Sequence, residues 1–260
     1  MSTAALALRD SATMTRRQLK RIARYPAMTV QLIITPVILL LLFVYVLGGT
    51  LGNGLGGAGG GRDAYVDYVL PGILLMAAAT AATGTAVMVA TDMTEGIIAR
   101  FRTMRISRAS VLTGHVVGSV VQQLLGAAVL VGVAFAIGFR PNATAAEWAA
   151  AAGLLTLFVL AVTWLAVALG MKSPTPEAAS NAPMPLVLLP FLGSGFVPTD
   201  SMPAAIRWFA DYQPFTPVME TLRGLLLGTP IGDSAAIAAG WCTAIALASF
   251  LWARSTFTKA

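Results

Sequence analysis

Charge-free apolar runs dominate the chain, and they are longer than the elements of a water-soluble domain require. Six can be read, approximately Pro26 to Leu47, Tyr68 to Thr91, Val111 to Phe139, Trp148 to Met171, Ala178 to Val197 and Ser234 to Ala253. Each holds about the 20 residues that an α-helix needs to cross a bilayer's hydrocarbon. Strict alternation of polar and apolar positions, the mark of a membrane β-barrel, is absent. The pattern therefore predicts an all-α polytopic membrane protein with six transmembrane helices. The third run is long enough to leave the bilayer at one end. The fifth carries Pro183, Pro185 and Pro190 and is predicted to be kinked or partly unwound.

The segments between these runs are patterned too. At 100° per residue Ala12, Thr15, Leu19, Ile22 and Ala23 share one face of a helix, and Arg16, Arg17, Lys20, Arg21 and Arg24 share the other. This predicts an amphipathic helix in the inner interface, within a cytoplasmic N-terminus of residues 1–25 that precedes a single transmembrane domain over 26–260. Between the second and third runs, Asp92 to Ser110 repeats Ile97, Ile98, Phe101 and Met104 at helical spacing among four arginines, a short cytoplasmic helix able to dock on another protein.

Pro198 to Gly232 is apolar but interrupted, and predicts two short helices that re-enter or rest on the outer leaflet. Ser201 or Met202 would cap the first, and Thr216-Pro217 would supply the cap and first residue of the second. Exposed pairs among Arg207, Asp211, Glu220 and Arg223 would contribute little. Gly48 to Gly61 is largely glycine and is expected to be a flexible outer loop. It contains Gly52-x-Gly54-x-x-Gly57, but without the strand and helix that a dinucleotide fingerprint needs.

Charge orients the helices. Thirteen of the lysines and arginines fall on the side of the termini and four on the other, which places both ends in the cytoplasm. With 57% hydrophobic and 11% charged residues and mean hydropathy +0.78, lipid is the main solvent. The net charge of +6 is thus a topology signal rather than a nucleic-acid patch. The first apolar run is too long for a cleavable leader.

Candidate chemistry is sparse. No lysine follows a glycine, so the chain has no P-loop for ATP. One histidine and one cysteine make no metal cluster, and no metal or catalytic residue is expected. No acidic or basic side chain falls near the middle of a predicted span, where ion-coupled transporters keep theirs.

The run Met184 to Gly224, with Phe196-Val197-Pro198, Met202-Pro203, Arg207 and Pro214-Phe215-Thr216, resembles the signature of ABC-2 type permeases, and the chain looks most like the daunorubicin-resistance branch. Gln213 departs from a commoner asparagine. The resemblance implies a transport subunit that is not itself an ATPase, in the type V exporter-like fold: two permeases pair, the same chain or a paralogue, and each rests on an ATP-binding subunit that binds ATP and magnesium. The chain itself would bind no cofactor.

Glu95, Gly96, Ile97, Arg100, Phe101 and Arg102 match the family's coupling region, and the helix from Ala12 to Arg24, with its five basic residues, matches its connecting helix. Family-like packing would offer Gln31, Thr35, Phe43, Met76, Thr80, Asn181 and Phe191 to a pathway between subunits. Such a surface suits export of hydrophobic or amphiphilic, drug-like compounds across the plasma membrane. The alternatives are a lipid or lipid-linked glycan as cargo, an ion-coupled secondary transporter, and a membrane anchor that transports nothing.

Overall fold

The computed structural model describes residues 26–54, 61–95 and 108–259, and all the regular elements among them are helices. In chain order these are α1 (Pro26–Leu42), a π-helical turn (Phe43–Leu47), α2 (Gly48–Gly54), α3 (Arg62–Thr94), α4 (Arg108–Ala136), α5 (Ala145–Lys172), α6 (Pro176–Asn181), α7 (Met184–Leu188), a 3-10 turn (Thr199–Ser201), α8 (Ala204–Tyr212), α9 (Phe215–Leu227) and α10 (Ser234–Lys259). Among the described residues, five helices are long and apolar enough to cross a membrane: α1 continued through α2, α3, α4, α5 and α10.

Burial sorts these five. In their most apolar windows α3 is 67% buried and α5 56%, against 17–22% for the other three, so α3 and α5 form the inner pair. Small residues let them meet. Ala82, Ala86 and Ala90 repeat every fourth residue along α3 and are fully buried. Opposite them a β-carbon on Gly170 would stand 3.0 Å from Ala86 Cα, so the two backbones are in contact, as helices in lipid often are. The outer helices turn Val30, Ile34, Ile38, Leu125, Val129, Leu247 and Leu251 outward, an apolar surface suited to hydrocarbon.

Helix starts follow local chemistry. Thr144 caps α5 in a capping box: its hydroxyl accepts from Glu147 N at 3.3 Å, and the Glu147 carboxylate accepts from Thr144 N at 2.7 Å. Just before this cap, Asn142 N donates to Leu226 O at 3.0 Å. Thr144→Ala is expected to lower the midpoint of thermal unfolding by the few degrees that a loss of about 1 kcal/mol produces, read by monodispersity of the detergent-solubilised protein after heating.

Two boundaries differ from expectation, and the fifth apolar run shows the partial unwinding that its prolines predicted. Residues 48–54 are helical, not a loop: Gly52 abuts the backbone of Gly61 where no side chain fits, and a continued helix satisfies the backbone. α3 runs on to Thr94, which makes Asp92 a buried helical residue. The fifth apolar run is not one helix; α6 and α7 are six and five residues long, and turns follow to Val197. Pro183, Pro185 and Pro190 remove the N–H donors that would join the pieces. The basic helix of 12–24 lies outside the described residues.

Candidate functional site

The broken fifth run and the α8–α9 hairpin meet at half the depth of α5. Phe215, the first residue of α9, packs edge-on against Phe158 with ring centroids 5.0 Å apart, and Phe158 lies midway along α5. The other end of α9 is where Leu226 O accepts from Asn142, just before α5 begins. α9 thus rises beside the Ala145 half of α5, and Gly228, at φ 72°, closes it with a left-handed cap. α8 leads down to it with Ile206, Trp208, Phe209 and Tyr212 exposed. Only α8 is exposed; nine of the thirteen residues of α9 are buried.

This arrangement leaves unwound backbone deep in the bundle, and side chains satisfy it. Gln213, 4% exposed, gives its amide N–H to Leu189 O and to Thr216 Oγ1, both at 3.1 Å, and accepts from Phe215 N at 3.3 Å. Thr216 Oγ1 also accepts from Ser194 N at 3.4 Å. Thr216 is therefore not the helix cap that the sequence predicted, because its hydroxyl accepts from Gln213 and Ser194; Pro214 stands at the cap position. Pro203, not Ser201 or Met202, precedes α8; the Ser201 hydroxyl is turned back to Pro198 O at 2.7 Å. Gln213, where the resemblance has a commoner asparagine, joins both halves of the site.

Arg223 is the residue that sequence reasoning missed. Rather than joining an exposed pair, its Nε and Nη2 donate to Tyr68 O at 3.3 and 3.2 Å, Nη2 donates to Ser194 O at 2.8 Å, and the guanidinium carbon stands 3.8 Å from the Tyr68 ring centre. Planar stacking with forked donation is what arginine provides and lysine does not. The neighbouring Tyr68 and Ser194 hydroxyls are buried without partners. Glu220 accepts from the Ser234 hydroxyl at 3.2 Å, while Arg207 pairs with Asp200 and, at 3.9 Å, with Asp211. The available signal was position: an arginine between Leu222 and Leu225 on a mostly apolar helix has to find acceptors inside the bundle.

The sequence-predicted pathway residues are only partly gathered. Phe43 and Phe191 flank Phe196, each with its ring centre 4.5 Å away, and Phe196 O accepts from the Tyr65 hydroxyl at 3.2 Å. Gln31 and Thr35 are exposed on α1. Met76 is buried at 3%, Thr80 hydrogen-bonds Met76 O at 2.9 Å, and Asn181 is exposed at the end of α6. Glu95 is exposed and caps α3 through its backbone. Gly96, Ile97, Arg100, Phe101 and Arg102 lie outside the described residues, as do Arg16, Arg17, Lys20, Arg21 and Arg24.

A helical bundle with several membrane-length apolar helices and a half-depth helical hairpin is that of a multi-pass membrane protein. The chain belongs to the ABC-2 type transporter family, whose sequence profile matches residues 10–227. It is 28% identical over 223 residues to the daunorubicin resistance ABC transporter permease protein DrrB1 of Streptomyces coeruleorubidus, covering 84% of this chain and 76% of that one. It is 24% identical over 199 residues to the probable doxorubicin resistance ABC transporter permease protein DrrC of Mycobacterium tuberculosis, covering 76% and 71%. The chain is thus an ABC permease, a membrane subunit that works with an ATP-binding subunit, and it is homologous to permeases of drug-resistance exporters.

Proposed function

We propose that this permease exports hydrophobic or amphiphilic, drug-like compounds from the cell, driven by ATP that a separate subunit binds with magnesium and hydrolyses. The observation that carries this reading is the match to two resistance permeases over most of the chain. In the complex two permeases pair, the same chain or a paralogue, over two ATP-binding subunits.

Six crossings, with both ends in the cytoplasm, fit this assembly. Between Lys172, at the far end of α5, and Phe196, bonded to Tyr65 near the start of α3, the chain travels the length of the bundle as α6, α7 and turns. It then crosses as a broken span. Unwound backbone at such depth is tolerated when protein encloses it, as Gln213 and Thr216 do here. The α8–α9 pair re-enters from the outer side. Glu95 ends α3 on the cytoplasmic side, where the segment through Arg102 receives the ATPase stroke.

Reconstitution with the ATP-binding subunit tests the reading. Vesicles are expected to expel doxorubicin when ATP is supplied and not when an ion gradient alone is imposed. Phe101→Ala or Glu95→Ala is expected to lower that transport at least tenfold while the protein still inserts. Wild-type transport in both variants would remove the coupling role, and transport without nucleotide would remove the mechanism.

A further inference from the structure

α1 carries Pro36 inside a membrane-length helix, and this leaves a backbone acceptor to account for. Proline has no N–H, so the carbonyl four residues earlier, on Leu32, loses its ladder donor. Residues four apart share a helix face, and Leu32 and Pro36 both border a cleft of about 30 Å³ between α1, α3, α4 and α5. The freed carbonyl opens onto that cleft. Among the described residues that line it, none is a serine or threonine whose hydroxyl could donate in place of the missing N–H.

The facing wall supplies a second acceptor. Gln123, at the middle of α4, donates its amide N–H to Thr163 Oγ1 on α5 at 3.1 Å, and its Oε1 is buried without a protein partner. Gln122 adds a further polar side chain to the lining. Each unmet acceptor inside the bundle carries a desolvation penalty, and the two stand on different helices. The volume decides what can serve both: it exceeds the roughly 10–15 Å³ that one water requires and is far below what an organic ligand needs. A water brings two donors, and it is held inside proteins where two to four polar groups converge.

We infer that this cleft is the binding site of one structural water, which donates to Leu32 O of α1 and to Gln123 Oε1 of α4. With the bond from Gln123 to Thr163 it completes a polar link from α5 through α4 to α1, at the point where proline interrupts α1. α1 then hinges at Pro36 without a stranded carbonyl, because a water follows a shifting acceptor where a fixed backbone N–H cannot. The site is independent of what the permease carries.

Water-edited solid-state NMR of the full chain in proteoliposomes, with its glutamines isotopically labelled, tests the site. The Gln123 side-chain signal is the one that disappears in Gln123→Asn. Magnetisation from water is expected to reach that amide about threefold sooner in wild type than in Gly126→Val, whose side chain fills the cleft. The substitution is accommodated, since a β-carbon on Gly126 would meet only Ile33 Cγ1, at 3.7 Å. Equally slow transfer in wild type and G126V, or equally fast transfer in both, would overturn the site.

Thermal unfolding gives a second reading with different variants. Pro36→Ala returns an N–H to Leu32 O, so Gln123→Met should lower the unfolding midpoint in the P36A background by about half of what it does in wild type. Equal losses in the two backgrounds would show that Gln123 and Leu32 share no water. Should one variant fail to assemble, the measurement that does not use it decides.

Discussion

Arg223→Leu is expected to destabilise the folded permease by about 3 kcal/mol, because hydrogen bonds from a charged donor contribute about 1.5–3 kcal/mol each and this residue makes them to two carbonyls. Leucine matches the apolar character of the neighbouring residues but leaves Ser194 O without a donor in the interior. The outer hairpin is then held to α3 by packing alone. Arg223→Lys is expected to recover less than half of the loss: an ammonium can reach one carbonyl, but it cannot stack on the Tyr68 ring at 3.8 Å while forking between acceptors.

Tyr68→Leu separates the two parts of the interaction. It removes the ring and keeps the Tyr68 carbonyl, so it should resemble Arg223→Lys more than Arg223→Leu. The measurement is the temperature at which detergent-solubilised protein loses its monodisperse peak, with ATP-driven doxorubicin efflux read in parallel. Wild-type thermal stability in both Arg223→Leu and Arg223→Lys would show that the guanidinium bonds are not what holds α9.

Arg223 also shows where sequence reading stops. The helical class, the five long apolar helices, the break in the proline-bearing fifth run and the two short helices before α10 were legible, because each rests on local composition: apolar length and missing N–H groups. The partners of Arg223 were not, since Tyr68 is 155 residues away and Ser194 29, and nothing local to Arg223 distinguishes a carbonyl inside the bundle from Glu220 three residues earlier. Gln123, which donates to Thr163 Oγ1 on α5 at 3.1 Å, was hidden for a related reason. Scanning spans for charged side chains passes over an amide, although an amide in hydrocarbon needs partners as surely as a charge does. Thr216 was misread because a Thr-Pro pair is a good local cap, and tertiary contacts to Gln213 and Ser194 took its hydroxyl instead.

Glycine on α3 supplies the other large effect, and its sign depends on position. At Gly72 an added β-carbon would stand 2.5 Å from Gly195 O and 2.8 Å from Gly195 Cα, both backbone atoms that cannot rotate away. At Gly84 on the same helix nothing lies within 4 Å. Gly72→Ala is therefore expected to cost about 3 kcal/mol, the upper end of overpacking penalties, whereas Gly84→Ala should be neutral or stabilise by up to about 1 kcal/mol through the unfolded chain. Gly195→Ala should fall nearer Gly72→Ala, because Met219 Sδ at 3.0 Å can give but Pro190 O at 2.7 Å is backbone.

The Gly72 loss has a second consequence. Displacing the 193–195 turn moves Ser194 O, the closest acceptor of Arg223, so Gly72→Ala and Arg223→Leu disturb one structure and their effects should sum to less than the two alone, by about 1 kcal/mol or more in a double-mutant cycle. Full additivity would mean that the close approach of α3 to the broken fifth run and the anchoring of α9 are independent. A Gly72→Ala protein as stable as Gly84→Ala would mean that the 193–195 turn does not sit against α3 at all.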